Sequence, residues 1–254
     1  SSEQVNYFLN ELGGIEWYLN FTTDFSYVPE DKKKVSFIAV PTDANIWQGS
    51  QIDNFDSLSD LQISNLGFKT ALEIRNMSSL NPGEHWYIFG EPNRYSGVTG
   101  TKFSKILHHY ITNILEGDPS AKIIGTSMLN WDYTCVGCST ATFCGNEIVK
   151  GYVCGMEWFE ELISAYQQNF GDLPEVYAWG IDIYPLDWVT TPNSGYHANI
   201  AIDQLKAMRS SLNQIPDYRN TPIWITELGL HVGYDSYSFQ GSEIIPVGNY
   251  HWDK

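Results

Sequence analysis

The stretch from His85 to Arg94, HWYIFGEPNR, has the pattern of a short apolar strand that ends on a carboxylate. Trp86 to Phe89 are uncharged and favour β structure, as expected for a strand that is buried on both faces. Pro92 has no N–H to donate, so it ends the hydrogen-bond ladder of the strand. Glu91 is therefore predicted at the carboxyl end of a buried parallel strand, where β/α barrels carry their chemistry.

A second stretch, Thr221 to Gly229, repeats this design. Pro222 opens an apolar strand, and Glu227 lies at its exit. A glycosidase needs two such carboxyl groups, one as general acid/base and the other as nucleophile or base. The alternative is that each glutamate only caps its strand or pairs with Arg94. The order and surroundings of the two glutamates favour catalysis.

These two stretches resemble motifs of the large clan of retaining glycoside hydrolases that are built on β/α (TIM) barrels. Trp86–Asn93 is similar to the clan's fourth-strand motif, and Trp224–Gly229 is similar to its seventh-strand motif. The resemblance implies that Glu91 is the acid/base and Glu227 the nucleophile.

One position departs from the clan's pattern. The clan usually has Asn before the acid/base, where it hydrogen-bonds the 2-hydroxyl of the sugar, and this chain has Gly90. Either another side chain makes that contact, or the activity is weak or lost. The resemblance runs from about Gly14 to Tyr234. Within the clan, the stretches Trp17–Asn20 and Phe37–Pro41 are most similar to families that cleave β-1,3-glucans.

Candidate substrate contacts come from the resembling stretches and from loops that follow predicted strands. Asp182 and Tyr184 alternate along one strand and so share a face. By the resemblance, Tyr184 is the tyrosine that hydrogen-bonds the nucleophile, and a packed aromatic at the rim is the alternative. The predicted contacts are Trp17, Asn20, Trp47, Asn93, Asn130, Trp131, Asp182, Tyr184 and His231.

The composition is compatible with a polysaccharide or oligosaccharide substrate. Aromatic residues make up 15% of the 254 residues, and aromatic rings stack well on sugar faces. The formal net charge is −16, so phosphate backbones and anionic lipids would be repelled. We therefore expect no nucleic-acid or membrane partner.

Four cysteines cluster in one stretch. Four thiolates could hold a structural zinc, but the spacing is irregular and no second C-x-x-C follows. Two disulfides are the favoured interpretation, which goes with a secreted or extracellular protein. The cysteines are Cys135, Cys138, Cys144 and Cys154.

The sequence predicts one domain over residues 1–254, an α/β fold of the TIM-barrel type. Six strands can be found, and the clan's first and eighth strands cannot, so the barrel is predicted to be incomplete. Its open edges would need a cover. The chain could be a fragment, another copy could cover the edges by self-association, or Ile244–Val247 could form an irregular strand. The predicted strands lie near residues 15–21, 35–40, 86–90, 121–126, 177–183 and 222–227.

Two other functions remain open from the sequence. A barrel that has lost catalysis could bind carbohydrate or serve in an assembly, and Gly90 favours that alternative. A metal-dependent hydrolase could use Asp182, His231 and Glu227, but no H-x-H or H-E-x-x-H pattern is present. We therefore expect neither a metal nor another cofactor.

Overall fold

Six parallel strands follow one another across one sheet, in the order of the chain. The computed structural model describes residues 16–20, 33–132, 153–184, 194–229, 234–240 and 243–250. All six strands agree with the ranges expected from the sequence. They are β1 Trp17–Asn20, β2 Lys33–Ile38, β3 His85–Ile88, β4 Lys122–Leu129, β5 Ala178–Ile183 and β6 Ile223–Leu228.

Helices connect β2 through β6 and cover the outer face of the sheet. Ser59 and Thr70 each open a helix with a capping box, and Gly67, with φ 85°, lies between these two helices. The helices are α1 Ala44–Gln48, α2 Ser50–Asp53, α3 Asp60–Asn65, α4 Ala71–Ser79, α5 Gly100–Gly117, α6 Gly155–Phe170 and α7 Ser194–Gln214. Short 3₁₀ turns span Phe55–Ser57, Pro92–Arg94 and Pro216–Tyr218.

The apolar core has two parts. The larger part lies between the strands and the helices, where α5 packs beside α4 and α6. The smaller part fills the concave side of the sheet, with Val35, Tyr87, Ile124 and Ala178 from four neighbouring strands. Side chains therefore fill the interior below the carboxyl ends of the strands, which leaves those ends as the place for a site.

The sheet is curled into an incomplete parallel β/α barrel. Trp17 of β1 and Trp224 of β6 belong to the two outermost strands of the sheet, yet their ring centroids are 5.0 Å apart. His85 at the start of β3 stacks on the same Trp224 ring. This aromatic contact closes the interior at the amino ends of the strands. At the level of the backbone, β1 and β6 remain the edges of the sheet within the described residues.

A β-hairpin follows β6. It consists of β7 Tyr234–Gln240 and β8 Glu243–Tyr250, which pair in antiparallel fashion as a separate two-stranded sheet. The sequence analysis offered only an irregular strand around Ile244–Val247, and the structure corrects this to a full hairpin strand. None of the helices in the described ranges has the length and apolar character of a membrane span.

Several sequence predictions fall outside the described residues. They concern His231 and three of the four cysteines (Cys135, Cys138 and Cys144). Cys154 is described and buried at the start of α6, and no free cysteine occurs in the described part of the chain. The two predicted disulfides remain a prediction.

Candidate active site

Glu91 lies just past the end of β3 in a left-handed backbone conformation, with φ 54° and ψ 41°. Its N–H donates to the Ser127 carbonyl at 2.9 Å, which fixes the backbone against β4. Pro92 opens the 3₁₀ turn that follows, and this turn brings Arg94 back to the glutamate. The Arg94 Nη1 donates to Glu91 Oε2 at 3.1 Å.

Backbone strain is concentrated around this glutamate. Phe89 and Asn130 also have positive φ angles, 55° and 52°, and no other non-glycine residue of the described ranges has one. Such conformations cost roughly 1–3 kcal/mol each and persist where the surroundings hold them. They lie at the carboxyl ends of the neighbouring strands β3 and β4, which is the end of the sheet that carries Glu91.

A bulge in β6 directs Glu227 into the same region. Ile181 pairs with Ile225 and Asp182 with Glu227, so Thr226 is an extra residue in β6. Successive residues of a regular strand point to opposite faces, and a bulge changes this alternation. As a result Thr226 and Glu227 both reach the interior site.

Tyr184 holds the Glu227 carboxylate. Its hydroxyl donates to Glu227 Oε2 at 2.7 Å, which is the contact that the resemblance implied. A Cβ on Gly229 would lie 2.5 Å from the Tyr184 ring, so glycine at 229 makes room for this ring. Burial, and then the hydrogen bond to Glu227, raise the pKa of Tyr184 above its ordinary value, so the hydroxyl remains a donor.

Three carboxyl groups meet at this point. One oxygen each of Glu91, Asp182 and Glu227 lie within 4.8 Å of one another. Burial raises the pKa of Glu91, the nearby Glu227 charge raises it further, and Arg94 opposes the shift. Glu91 is therefore suited to carry a proton at a higher pH than an ordinary glutamate.

Asp182 lies beneath the two glutamates and is fully buried. Ser127 Oγ donates to its Oδ2 at 2.7 Å, and Thr226 donates to its Oδ1. The Tyr87 hydroxyl contacts Ser127 in turn. Burial raises the pKa of Asp182 to about 7. Asp182 was predicted as a substrate contact, but its burial leaves it no surface to offer a sugar, and it lies within 4.8 Å of the glutamate oxygens instead.

The same polar network explains Gly90. A Cβ at this position would lie 2.7 Å from the Tyr87 hydroxyl and 3.4 Å from Asp182 Oδ2. An asparagine side chain therefore cannot take the place that the clan gives it. Tyr87, Ser127 and Asp182 occupy this space, and all three side chains are buried.

Four predicted substrate contacts are buried and support the structure instead. Trp47 lies in the core against Phe68 and Phe103, and Trp131 packs on Phe159. Neither ring has surface for a sugar, so their prediction as cleft aromatics is corrected.

The two asparagines bind backbone groups. Asn93 exchanges hydrogen bonds with the N–H and C=O of Leu129 and also donates to the Val153 carbonyl. Asn130 does the same with the N–H and C=O of Tyr184, at 2.9 Å each. Their amides are used to fix the loops that follow β3, β4 and β5.

Trp17 lies at the opposite end of the barrel from the glutamates. It begins β1, and its ring contacts His85 and Trp224, which belong to the amino-terminal part of the sheet. Its predicted role in substrate binding is therefore corrected to packing. Asn20, the last residue of β1, is in register with Ser36 at the carboxyl side of the sheet.

The three converging oxygens are close enough together to approach a divalent cation. Their surroundings fit this poorly, because Arg94 already places a positive charge on Glu91 and both Asp182 oxygens accept hydrogen bonds from hydroxyl groups. The geometry fits acid–base chemistry between carboxyl groups better.

Sequence reasoning missed the hydroxyl residues of the site. Tyr87 was taken as part of an apolar strand, and Ser127 and Thr226 were not singled out. Ser127 faces Asp182 because β4 carries an extra residue between Ile124 and Ser127. The available signal was Tyr87, a hydroxyl-bearing residue within the apolar strand that leads to Gly90 and Glu91.

No protein-family model matches the chain, and no curated protein matches its sequence. Among solved structures, the fold is similar to that of a GH128 (subgroup III) curdlan-specific exo-β-1,3-glucanase from Blastomyces gilchristii, in complex with glucose. The alignment covers 88% of this chain and 72% of that chain, with 11% identity and a TM-score of 0.47.

Proposed function

We propose that this protein is a retaining glycoside hydrolase that acts on a neutral β-glucan, with a β-1,3-linked glucan as the first candidate. The observation that carries the proposal is the approach of Glu91 and Glu227, whose nearest oxygens are within 4.8 Å. Retaining enzymes hold their carboxyl groups about 5–5.5 Å apart, whereas inverting enzymes need about 6.5–9.5 Å to admit a water. The separation therefore favours retention.

The proposed mechanism assigns one role to each glutamate. Glu91 donates its proton to the leaving glycosidic oxygen while Glu227 Oε attacks the anomeric carbon. The Tyr184 hydroxyl orients Glu227 for this attack. Glu91, now ionised, then takes a proton from the water that releases the sugar from Glu227. The raised pKa of Glu91 suits the first step.

The test is to incubate the protein with laminarin, lichenan and carboxymethyl-cellulose and to measure new reducing ends. Proton NMR of the fresh product should show retained anomeric configuration. Glu91→Gln and Glu227→Gln should each abolish the activity, while Glu116→Gln, at an exposed ion pair with Arg75, should not. A 2-deoxy-2-fluoro glycoside should label Glu227.

The alternative is a barrel that binds carbohydrate without cleaving it. The side chain that the clan places before the acid/base is replaced here by Gly90 and a buried network. Retardation of the protein in a gel that contains laminarin, with no reducing ends from any of the three glucans, would favour this alternative. Activity that is abolished by EDTA and restored by a divalent cation would contradict both proposals.

A further inference from the structure

Two strand irregularities lie on either side of β5 at the carboxyl end of the sheet. The pairing of β4 with β5 shifts between Ile124 and Ser127, and β6 carries Thr226 as an extra residue. A bulge takes a residue out of the regular ladder and changes the direction of its side chain. Here the hydroxyl groups of Ser127 and Thr226 both reach the same side chain, Asp182 of β5.

Asp182 joins the two irregularities through its two oxygens. Ser127 Oγ donates to Oδ2 at 2.7 Å, and Thr226 Oγ1 donates to Oδ1. The Tyr87 hydroxyl contacts Ser127 as well, and Thr226 Oγ1 lies 3.2 Å from the Ile181 carbonyl oxygen. Because Asp182 is fully buried, water does not compete for its oxygens. The result is a hydrogen-bonded bridge, the Ser127–Asp182–Thr226 bridge, that joins β4, β5 and β6.

Each end of the bridge is attached to one of the two glutamates. At the β4 end, the Ser127 carbonyl accepts the N–H of Glu91 at 2.9 Å. At the β6 end, Thr226 directly precedes Glu227. Without the bulge, Thr226 and Glu227 would point to opposite faces of the sheet, and only one of them could reach the interior. The hydrogen bond from Thr226 to Asp182 therefore stabilises the register in which Glu227 faces Glu91.

We propose that the Ser127–Asp182–Thr226 bridge sets the separation of Glu91 and Glu227, and that its three members are positioning residues for the reaction. Hydrogen bonds carry this role, and the charge of Asp182 does not. A hydroxyl group can donate to a carboxylate or accept from a protonated carboxyl group, so Ser127 and Thr226 can hold Asp182 in either form. As a statement about catalysis, the proposal rests on the proposed hydrolase function; as a statement about the separation of the two carboxyl groups, it does not.

The test uses pairs of variants that differ in their hydrogen bonds. Thr226→Val keeps the shape of the side chain and loses the hydroxyl, whereas Thr226→Ser keeps the hydroxyl. Asp182→Ala removes the centre of the bridge, whereas Asp182→Asn keeps two polar atoms that can bond both hydroxyl groups. The control is Ser104→Ala, which removes a buried hydroxyl that donates to a backbone carbonyl within α5. Crystal structures of the native protein and the variants give the separation of the two carboxyl groups. Values of kcat and KM on laminarin are measured at about pH 5.5, where the raised pKa of Asp182 keeps it protonated.

Thr226→Val and Asp182→Ala should widen the separation by roughly 1 Å and lower kcat roughly 10- to 100-fold. KM should change little, because the bridge holds the reacting groups and not the sugar. Thr226→Ser, Asp182→Asn and Ser104→Ala should keep the native separation and a kcat close to the native value. Serine fills less space than valine, so recovery in Thr226→Ser would show that the hydroxyl, and not packing, is responsible.

The two proposals can fail separately. A native protein that cleaves none of the three glucans, with a wider separation in Thr226→Val, would contradict the hydrolase function and support the bridge. An unchanged separation in Thr226→Val would overturn the bridge, whatever the activity. Asp182→Asn with the wider separation of Asp182→Ala would show that charge and not hydrogen bonding acts, and would also overturn it. If Thr226→Val does not fold, as judged by circular dichroism, Ser127→Ala cuts the bridge at its other end and decides by the same criterion.

Discussion

At the scale of single residues, the balance around Glu91 is set by burial on one side and Arg94 on the other. Burial raises the pKa of the carboxyl group, and the hydrogen bond and charge of Arg94 lower it. Because the proposed first step needs the protonated form, the rate should fall as the pH rises through the pKa of Glu91. The alkaline limb should therefore lie above the ordinary glutamate value of about 4.3.

Arg94→Gln should move that limb to higher pH. The substitution removes the group that favours the ionised form of Glu91, so Glu91 should stay protonated up to a higher pH. Arg94 is 48% exposed and its charge is screened by water, so we expect a shift of roughly half a pH unit. The pH profile of kcat/KM measures it, with Arg75→Gln as a control at the exposed Glu116 pair. A limb at lower pH in Arg94→Gln would contradict the assignment of Glu91 as the acid.

Tyr184→Phe removes one hydroxyl and leaves the ring. Glu227 then loses the hydrogen bond that orients it, which is worth about 1.5–3 kcal/mol for a bond to a charged group. We expect kcat to fall roughly 10- to 100-fold with KM little changed. Tyr177→Phe, at the opposite end of the barrel beside His85, is the matched control. An unchanged kcat for Tyr184→Phe would mean that Glu227 needs no such support.

At the scale of elements, apolar patterns predicted the strands because each buried strand is continuous in the sequence. The break at Gly67 between α3 and α4 and the length of α5 were predictable for the same local reasons. For the site, the sequence predicted only which residues lie at the carboxyl ends of the strands. Bulges at Ser127 and Thr226 change which side chains face the interior, and they depend on pairing with the neighbouring strand. The alternation of side chains within a single strand does not depend on that pairing, so the sequence of one strand does not reveal the bulge.

The loop after β4 offers a test of how its asparagine works. Asn130 has φ 52° and satisfies both backbone groups of Tyr184. Asn130→Ala should lower the free energy of unfolding by roughly 2–4 kcal/mol, because two backbone groups lose their partners. Asn130→Gly loses the same bonds but adopts a positive φ without a Cβ, so it should cost about 1 kcal/mol less.

Urea unfolding at one pH gives both free energies of unfolding. Equal values for Asn130→Ala and Asn130→Gly would show that the left-handed conformation at this residue stores no strain. A loss much smaller than the stated range in both variants would show that water replaces the amide.

At the scale of the whole molecule, the interior of the barrel holds ionisable groups at both ends. Asp182 is buried at the carboxyl end of the sheet and His85 at the amino end, where its ring stacks on Trp224 and its Nε2 has no hydrogen-bond partner. Neither was predictable as buried, because a polar residue inside an apolar strand gives no sign of which end of the interior it will occupy. Both groups link folding to pH.

Asp182 and His85 change the free energy of unfolding with pH in opposite directions. Burial raises the pKa of Asp182 to about 7, so the folded protein binds this proton more tightly than the unfolded chain, and its stabilising effect is lost as the pH rises from about 4 to about 7. Burial and then the charges of Lys122 and Lys33 lower the pKa of His85 to about 4. The stabilising contribution of His85 to the free energy of unfolding is present above about pH 6.5 and is lost as the pH falls towards about 4.

Between about pH 4 and 6.5 these slopes should largely cancel in the native protein, and single substitutions should reveal them. In His85→Phe, which keeps a ring against Trp224, the free energy of unfolding should fall with rising pH, by on the order of 3 kcal/mol. In Asp182→Asn it should rise with pH over the same range by a similar amount. Urea unfolding at a series of pH values measures all three proteins. The other titrating groups are common to them, so the difference between slopes isolates the two residues. Parallel curves for Asp182→Asn and His85→Phe would show that neither group titrates differently in the folded protein and in the unfolded chain.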